Sequence, residues 1–193
     1  MSEAPPVGQA ALLLAEVERL KRDLEAAQSR IAELEARADV DPLLELLNRR
    51  GFERELKRSL AYIQRYGTIA ALIYLDLDGF KAINDKYGHA AGDALLKAVA
   101  KRLTAQVRAS DIVARLGGDE FAVLIWNASP AHAETKAREL EDAVAGIAVS
   151  HGDATLSVGA SAGIAMLNAA DSTDMVIDHA DRAMYARKRA PRG

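Results

Sequence analysis

The run Thr68–Asp78, TIAALIYLDLD, constrains this chain more than any other segment. It is apolar and rich in branched residues until it ends in alternate acids. Apolarity on both faces predicts a strand buried in the middle of a sheet, covered by helices on either side. Asp76 and Asp78, two apart, then share one face at the strand's end. Such a strand needs a sizeable core. A chain of 193 residues, 50% of them hydrophobic, can build one without staples. It has no cysteine, which excludes a disulfide framework, a thiol nucleophile and a thiolate metal site.

Other elements follow from periodicity and turn chemistry. Asn48 can cap a helix over about 51–66. Helical patterns cover about 80–86 and 91–108. Residues 112–116 and 120–126 read as strands joined by a tight turn at Gly117-Gly118. A helix is expected over about 131–145, a strand over 154–166 and a last helix over 174–188. Strands and helices alternate, but one hairpin is antiparallel. The expected class is therefore α+β (an α/β sandwich), with a central mixed, mostly antiparallel sheet surrounded by helices.

Residues 1–38 form a separate arm, and 39–193 the domain. From Leu13 to Ala38 apolar residues recur in steps of four and three, a heptad seam. Val17, Leu24, Ile31 and Ala38 fall at a; Leu13, Leu20, Ala27 and Leu34 fall at d. This pattern suits a parallel two-stranded coiled coil, hence a homodimer. Glu16 would face Lys21 of the second copy, and Arg30 would face Glu35. Each pair is worth only a few tenths of a kcal/mol, so their role is register. A single helix packed on its own domain is the alternative, but that usually has a wider apolar stripe.

Net charge is −3. No broad basic field favours nucleic acid or an anionic membrane, so neither is expected as a partner. The N-terminal MSEAPPVGQA lacks a basic stretch followed by an apolar core, and no apolar run is long enough to span a bilayer. The expectation is a soluble, cytoplasmic protein.

The acids carry the chemistry. If the strands holding them lie side by side, Asp76 and Asp119 converge at one end of the sheet, with Glu120 beside them. Converging carboxylates repel unless a cation lies between them. Hard oxygen ligands without His or Cys suit Mg²⁺ or Mn²⁺. Two such ions can clamp an in-line displacement at phosphorus. Taken alone, Gly-Gly-Asp-Glu is equally an ordinary polar hairpin. An EF-hand loop from Asp76 is excluded, because Phe80 and Lys81 stand where further ligands belong.

Arg115-Leu116-Gly117-Gly118-Asp119-Glu120-Phe121 resembles the signature of GGDEF-domain diguanylate cyclases. The run from Asp76-Leu77-Asp78-Gly79-Phe80-Lys81 through Asn84, His89 and Gly92-Asp93 is similar to that family's long second motif. Asn48-Arg49-Arg50, Leu156-Ser157-Val158-Gly159 and Asp181 to Lys188 resemble further motifs. The likeness covers roughly residues 39–193. It implies a nucleotidyl cyclase or polymerase palm fold, two Mg²⁺ per active site, and condensation of two GTP into cyclic di-GMP with release of two pyrophosphates. By that resemblance Asp76, Asp119 and Glu120 bind metal by side chain and Leu77 by its carbonyl. Asp119 also assists deprotonation of the attacking hydroxyl. Asn84 and Asp93 read guanine, where helix capping is the plainer role. His89 contacts the nucleotide. Phe80, Lys81, Lys188 and Arg192 hold the triphosphate.

Arg108-Ala109-Ser110-Asp111 matches the family's Arg-x-x-Asp inhibitory product site, with Arg138 a candidate second arginine, although Glu139 can occupy that place. A surface ion pair is the alternative for Arg108 and Asp111. The chain departs from the family at Leu44-Glu45, where Thr-Gly is usual, and at Arg187, where a small residue is usual. The family's contact between Asp41 and Arg115 can persist. A catalytically silent cyclic di-GMP receptor or scaffold is the competing function, and a cyclase acting on a single nucleotide is another.

Overall fold

The computed structural model describes the backbone of residues 7–189 and, within that span, all side chains except those of residues 7–11, 27, 29 and 31–38. The chain divides into two units, 1–38 and 39–193. The first contains one uninterrupted helix, α1 (Val7–Ala38). Of the expected seam, Leu13, Val17, Leu20 and Leu24 are 46 to 60% exposed. The side chains of Ala27, Ile31, Leu34, Glu35 and Ala38 lie outside the described residues. Glu16 accepts two hydrogen bonds from Arg19 of its own helix, at 2.6 and 2.9 Å. Among the described residues no helix is long and apolar enough to cross a membrane.

The second unit begins with a turn at residues 39–47. Asp41 organises it, accepting from the amides of Leu43 and Leu44 at 2.9 Å each. Asn48 caps α2 (Arg49–Tyr66) by accepting from the Gly51 amide at 3.0 Å, and Gly67, with φ 65°, ends it. Then come β1 (Ala70–Asp78), α3 (Phe80–Tyr87), α4 (His89–Ala105), β2 (Ile112–Gly117), β3 (Glu120–Trp126) and α5 (Pro130–Ala145). The chain finishes with β4 (Val149–His151), β5 (Ala154–Leu156), β6 (Gly159–Met166) and α6 (Thr173–Arg189).

The main sheet has the order β2-β3-β1-β6. Every pairing between its strands is antiparallel. The parallel component is a single bridge between Leu47 and Ala114, where the Arg115 amide donates to the Leu47 carbonyl at 2.8 Å. The expected strand over 154–166 is two strands. β5 pairs with the unanticipated β4 in a small hairpin that turns at Gly152, φ 57°. Three-residue strands are too short for periodicity to register.

As expected, β1 is central and buried on both faces. Ala71, Ile73, Leu75 and Leu77 join a core with α4 and α5; Leu72 and Tyr74 join another with α2 and α6. Alternation puts Asp76 and Asp78 on the Tyr74 side, the side α6 covers. Helix α6 lies directly on β6 because Gly163 has no side chain. A Cβ there would meet the Met184 nitrogen at 2.1 Å and the Ala180 carbonyl oxygen at 2.2 Å. That close seat brings the end of α6 over the acids.

Candidate functional site

The acids gather where β1 meets the β2–β3 hairpin. Asp76 lies opposite Glu120 on β3 and Ser161 on β6. The Leu77 amide donates to the Asp119 carbonyl at 3.2 Å, which ties the turn to the strand. Leu77 itself is buried. The buried Ser161 hydroxyl donates to Asp78 at 2.9 Å.

The hairpin is held by arginines from afar in sequence. Arg115 donates to the Gly118 carbonyl at 2.8 and 3.1 Å and to Asp41 at 3.0 Å, so the Asp41–Arg115 contact is present. Arg49 donates to the Leu116 carbonyl at 3.0 Å and lies 3.5 Å from Glu120. A Cβ on Gly117 would come within 2.9 Å of the Glu120 carboxylate, so glycine leaves that side chain its room. Tyr74 hydrogen-bonds to Glu120, and its hydroxyl is pushed well above the ordinary tyrosine range, first by burial and then by that carboxylate.

One cation reaches into the cluster. The Lys188 ammonium bonds Asp76 and lies 3.8 Å from Asp78. Burial alone would lower its pKa. The bond to Asp76, together with the charges of Asp76, Asp78 and Asp119, outweighs burial and raises it. Lys188 thus answers Asp76 and Asp78 directly, and the charge of Asp119 is near enough to be felt there. Among the described residues no three His, Asp or Glu side chains are gathered closely enough to cage a metal alone. Asp76, Asp119, Glu120 and the Leu77 carbonyl are hard oxygens of the kind Mg²⁺ or Mn²⁺ takes, and a shell built from them would need phosphate oxygens to complete it.

The other expected residues surround this end. Phe80 opens α3 from the core, and Lys81 beside it is exposed. Gly79 caps that helix in the left-handed region, φ 77°, without a side-chain bond to its first amides. Amides at a helix start favour an anion. Asn84 is half-buried, while His89 and Asp93 are exposed at the start of α4. A Cβ on Gly92 would fall 1.9 Å from the Asn84 oxygen and 3.1 Å from Phe80. That glycine lets α3 and α4 close until Asn84 sits against the turn bearing Asp93. Arg192 lies outside the described residues.

The Arg108–Asp111 loop is built differently. Asp111 accepts from the Arg108 amide at 3.0 Å and from the Trp126 amide at 3.1 Å. Arg108 is exposed. The cleft beside the pair is lined from α5 by His132 and Lys136, and Lys136 pairs with Glu139. Arg138 is exposed and does not line that cleft, because two helical residues separate it from Lys136 by about 200°. Sequence reading gave no role to Arg49, Tyr74 or the Asp39 pair with Arg50 and Arg54. Their partners are remote in sequence, so no local pattern marks them. The unusual Arg187 reaches Glu134 on α5 and so ties the last helix to its neighbour.

Fold and site together define a class: a palm-like antiparallel sheet whose central strand and neighbouring Gly-Gly hairpin present acids at one end. The model of the diguanylate cyclase GGDEF domain matches residues 38–193, and the chain belongs to that family. It is 35% identical over 185 residues to the diguanylate cyclase DgcP of Pseudomonas aeruginosa, covering 96% of this chain and 28% of that protein. It is 40% identical over 181 residues to the diguanylate cyclase TpbB of the same species, covering 89% and 41%. The chain thus spans under half the length of either relative. The coiled coil and GGDEF domain of DgcB from Caulobacter crescentus, solved in complex with c-di-GMP, superposes with a TM-score of 0.78 at 28% identity, covering 93% of this chain and 96% of that one. The diguanylate cyclase SiaD, solved with its activator SiaC from Pseudomonas aeruginosa, gives 0.76 at 30% identity, covering 95% and 72%.

Proposed function

We propose that this protein is a diguanylate cyclase that condenses two GTP into cyclic di-GMP as a homodimer joined through α1. The observation that carries the reading is that β1 sets Asp76 opposite Glu120 and ties Leu77 to Asp119, with Lys188 on Asp76, beside an intact Gly-Gly-Asp-Glu turn. Asp76, Asp119, Glu120 and the Leu77 carbonyl would hold two divalent cations. Bound Mg²⁺ or Mn²⁺ would neutralise the triphosphate and make the attacking 3′-hydroxyl more acidic.

The chain's own residues do the rest. Lys81, Lys188 and the first amides of α3 bind phosphate oxygens. Asn84 and Asp93 hydrogen-bond the guanine edge and fix the ribose relative to Asp119. The Asp119 carboxylate accepts the 3′-hydroxyl proton. The freed oxygen bonds to the α-phosphorus of the other nucleotide, and pyrophosphate leaves with the electrons of the broken bond. Two such closures give one ring and two pyrophosphates. Each domain holds one GTP, so two must face each other. A coil formed by the exposed seam of α1 would raise the effective concentration of that encounter. Arg108 is the residue for feedback by the product. Work at the acidic end of a cytoplasmic enzyme is the setting this reading assumes.

The test is incubation of purified protein with GTP and Mg²⁺, with nucleotides separated afterwards, beside Asp119→Ala. Cyclic di-GMP from the wild type alone is the expected result. A protein that binds cyclic di-GMP but makes none would be the receptor instead.

A further inference from the structure

A second recess shares Trp126 with the Arg108 cleft. It has a volume of about 340 Å³ and is lined by Tyr62, Thr68, Ser110, Trp126 and Asn127. That size falls in the small-molecule range. Tyr62 and Trp126 meet edge to face at 5.7 Å, and Tyr66 lies tilted against Tyr62 at 4.5 Å. Tyr62 and Tyr66 are nevertheless about half exposed, an aromatic wall open to water. The Thr68 hydroxyl is buried there with no hydrogen-bond partner among the described residues. Asn127 holds a left-handed backbone, φ 52°, at the rim. Ser110 belongs to the Arg108–Asp111 loop, and the Trp126 amide is fixed by Asp111. Trp126 lines both recesses.

We infer that the Tyr62–Trp126 recess is a base-stacking subsite that takes a guanine of cyclic di-GMP whose phosphate is held by Arg108. The inference rests on Arg108 being the product site. A flat purine suits an aromatic wall, because stacking is indifferent to side-chain detail and gains from a rigid partner. Ser110, Asn127 and, after rotation about its side-chain bond, Thr68 supply the polar contacts that a guanine edge needs. Arg108 supplies the positive charge for the phosphate between the bases. Ser110, which lines the recess, sets it against the loop that carries Arg108.

The chain has a single tryptophan, and because Trp126 lines both recesses its emission reports a ligand in either, which Tyr62→Ala then tells apart. Cyclic di-GMP is titrated into the whole protein without GTP, following tryptophan emission, with equilibrium dialysis of labelled cyclic di-GMP in parallel. Emission should change saturably with the midpoint that dialysis gives. Tyr62→Ala should raise that midpoint about fivefold or more, the loss expected from one stacked base. Arg108→Ala should raise it as well. Binding that depends on Arg108 but is untouched by Tyr62→Ala would leave the product site standing and remove the stacking subsite, whatever the emission does. Binding indifferent to Arg108→Ala, or no binding by the wild type, would overturn both.

Discussion

Two parts of this domain use aspartates beside arginines, to opposite ends. At the acidic end of the sheet, Asp76 and Asp78 share one lysine from the last helix, within reach of the charge of Asp119. The arginines there, Arg49 and Arg115, hold mainly carbonyls of the hairpin. In the 108–111 loop, Asp111 has one backbone amide on each oxygen. It shapes the loop, and Arg108 is left to face solvent. Carboxylates held by backbone are structure. Carboxylates answered by a mobile lysine side chain can exchange that partner for a ligand cation. The same residue type is therefore expendable for stability in one place and necessary for it in the other.

Substitutions can break this contrast. The largest effect should be Asp76→Asn, which lowers cyclic di-GMP synthesis by on the order of 100-fold or more, as for loss of one transition-state contact, while the thermal midpoint barely moves. Asp111→Ala should do the reverse, destabilising by roughly 2–3 kcal/mol through two orphaned amides, measured by urea unfolding. Equal losses of stability from both would end the distinction. Gly92→Ala drives a Cβ into Asn84, so it should weaken GTP binding about tenfold and destabilise by roughly 1–3 kcal/mol. Unchanged binding in a calorimetric titration would separate Asn84 from the nucleotide.

Two smaller effects sharpen the picture away from the acids. Glu45 stands where the family has glycine, and it adopts φ 58°. Glu45→Gly should stabilise by about 1 kcal/mol, since a left-handed backbone strains any residue with a Cβ. The smallest effect concerns pH. The folded-state pKa of Tyr74 is raised, so its contribution is complete below the ordinary tyrosine value of 10.0 and is lost as pH rises beyond it. An ultraviolet titration should show one tyrosine ionising only well above that value, and Tyr74→Phe should remove that late step.

Much of this arrangement was legible along the chain. The apolar run ending at Asp78 marked β1 as central, because only a strand covered on both faces tolerates such a sequence. Asn48 announced the start of α2, and Gly117-Gly118 announced the hairpin. The β4–β5 hairpin escaped notice, although Gly152-Asp153 was an available turn signal. Two strands of three residues hold too little periodicity to outweigh the longer pattern that follows. Arg138, sought as the second arginine, is not among the residues of α5 that line the cleft beside the loop, where helical phase places His132 and Lys136.

The sequence by itself determined which residues could carry charge at the end of β1, where the chain turns, and that a long amphipathic helix precedes the domain. Those properties are local, set by side-chain chemistry and by the two backbone periods. Only the tertiary structure decided that Lys188 answers Asp76 across 112 positions, that Arg115 also clamps the Gly118 carbonyl, and that Asp111 is spent on backbone amides. Such pairings depend on where helices land on the sheet. That landing is governed by close-packed contacts such as the bare Gly163 beneath α6, which no stretch of sequence displays until the chain has folded.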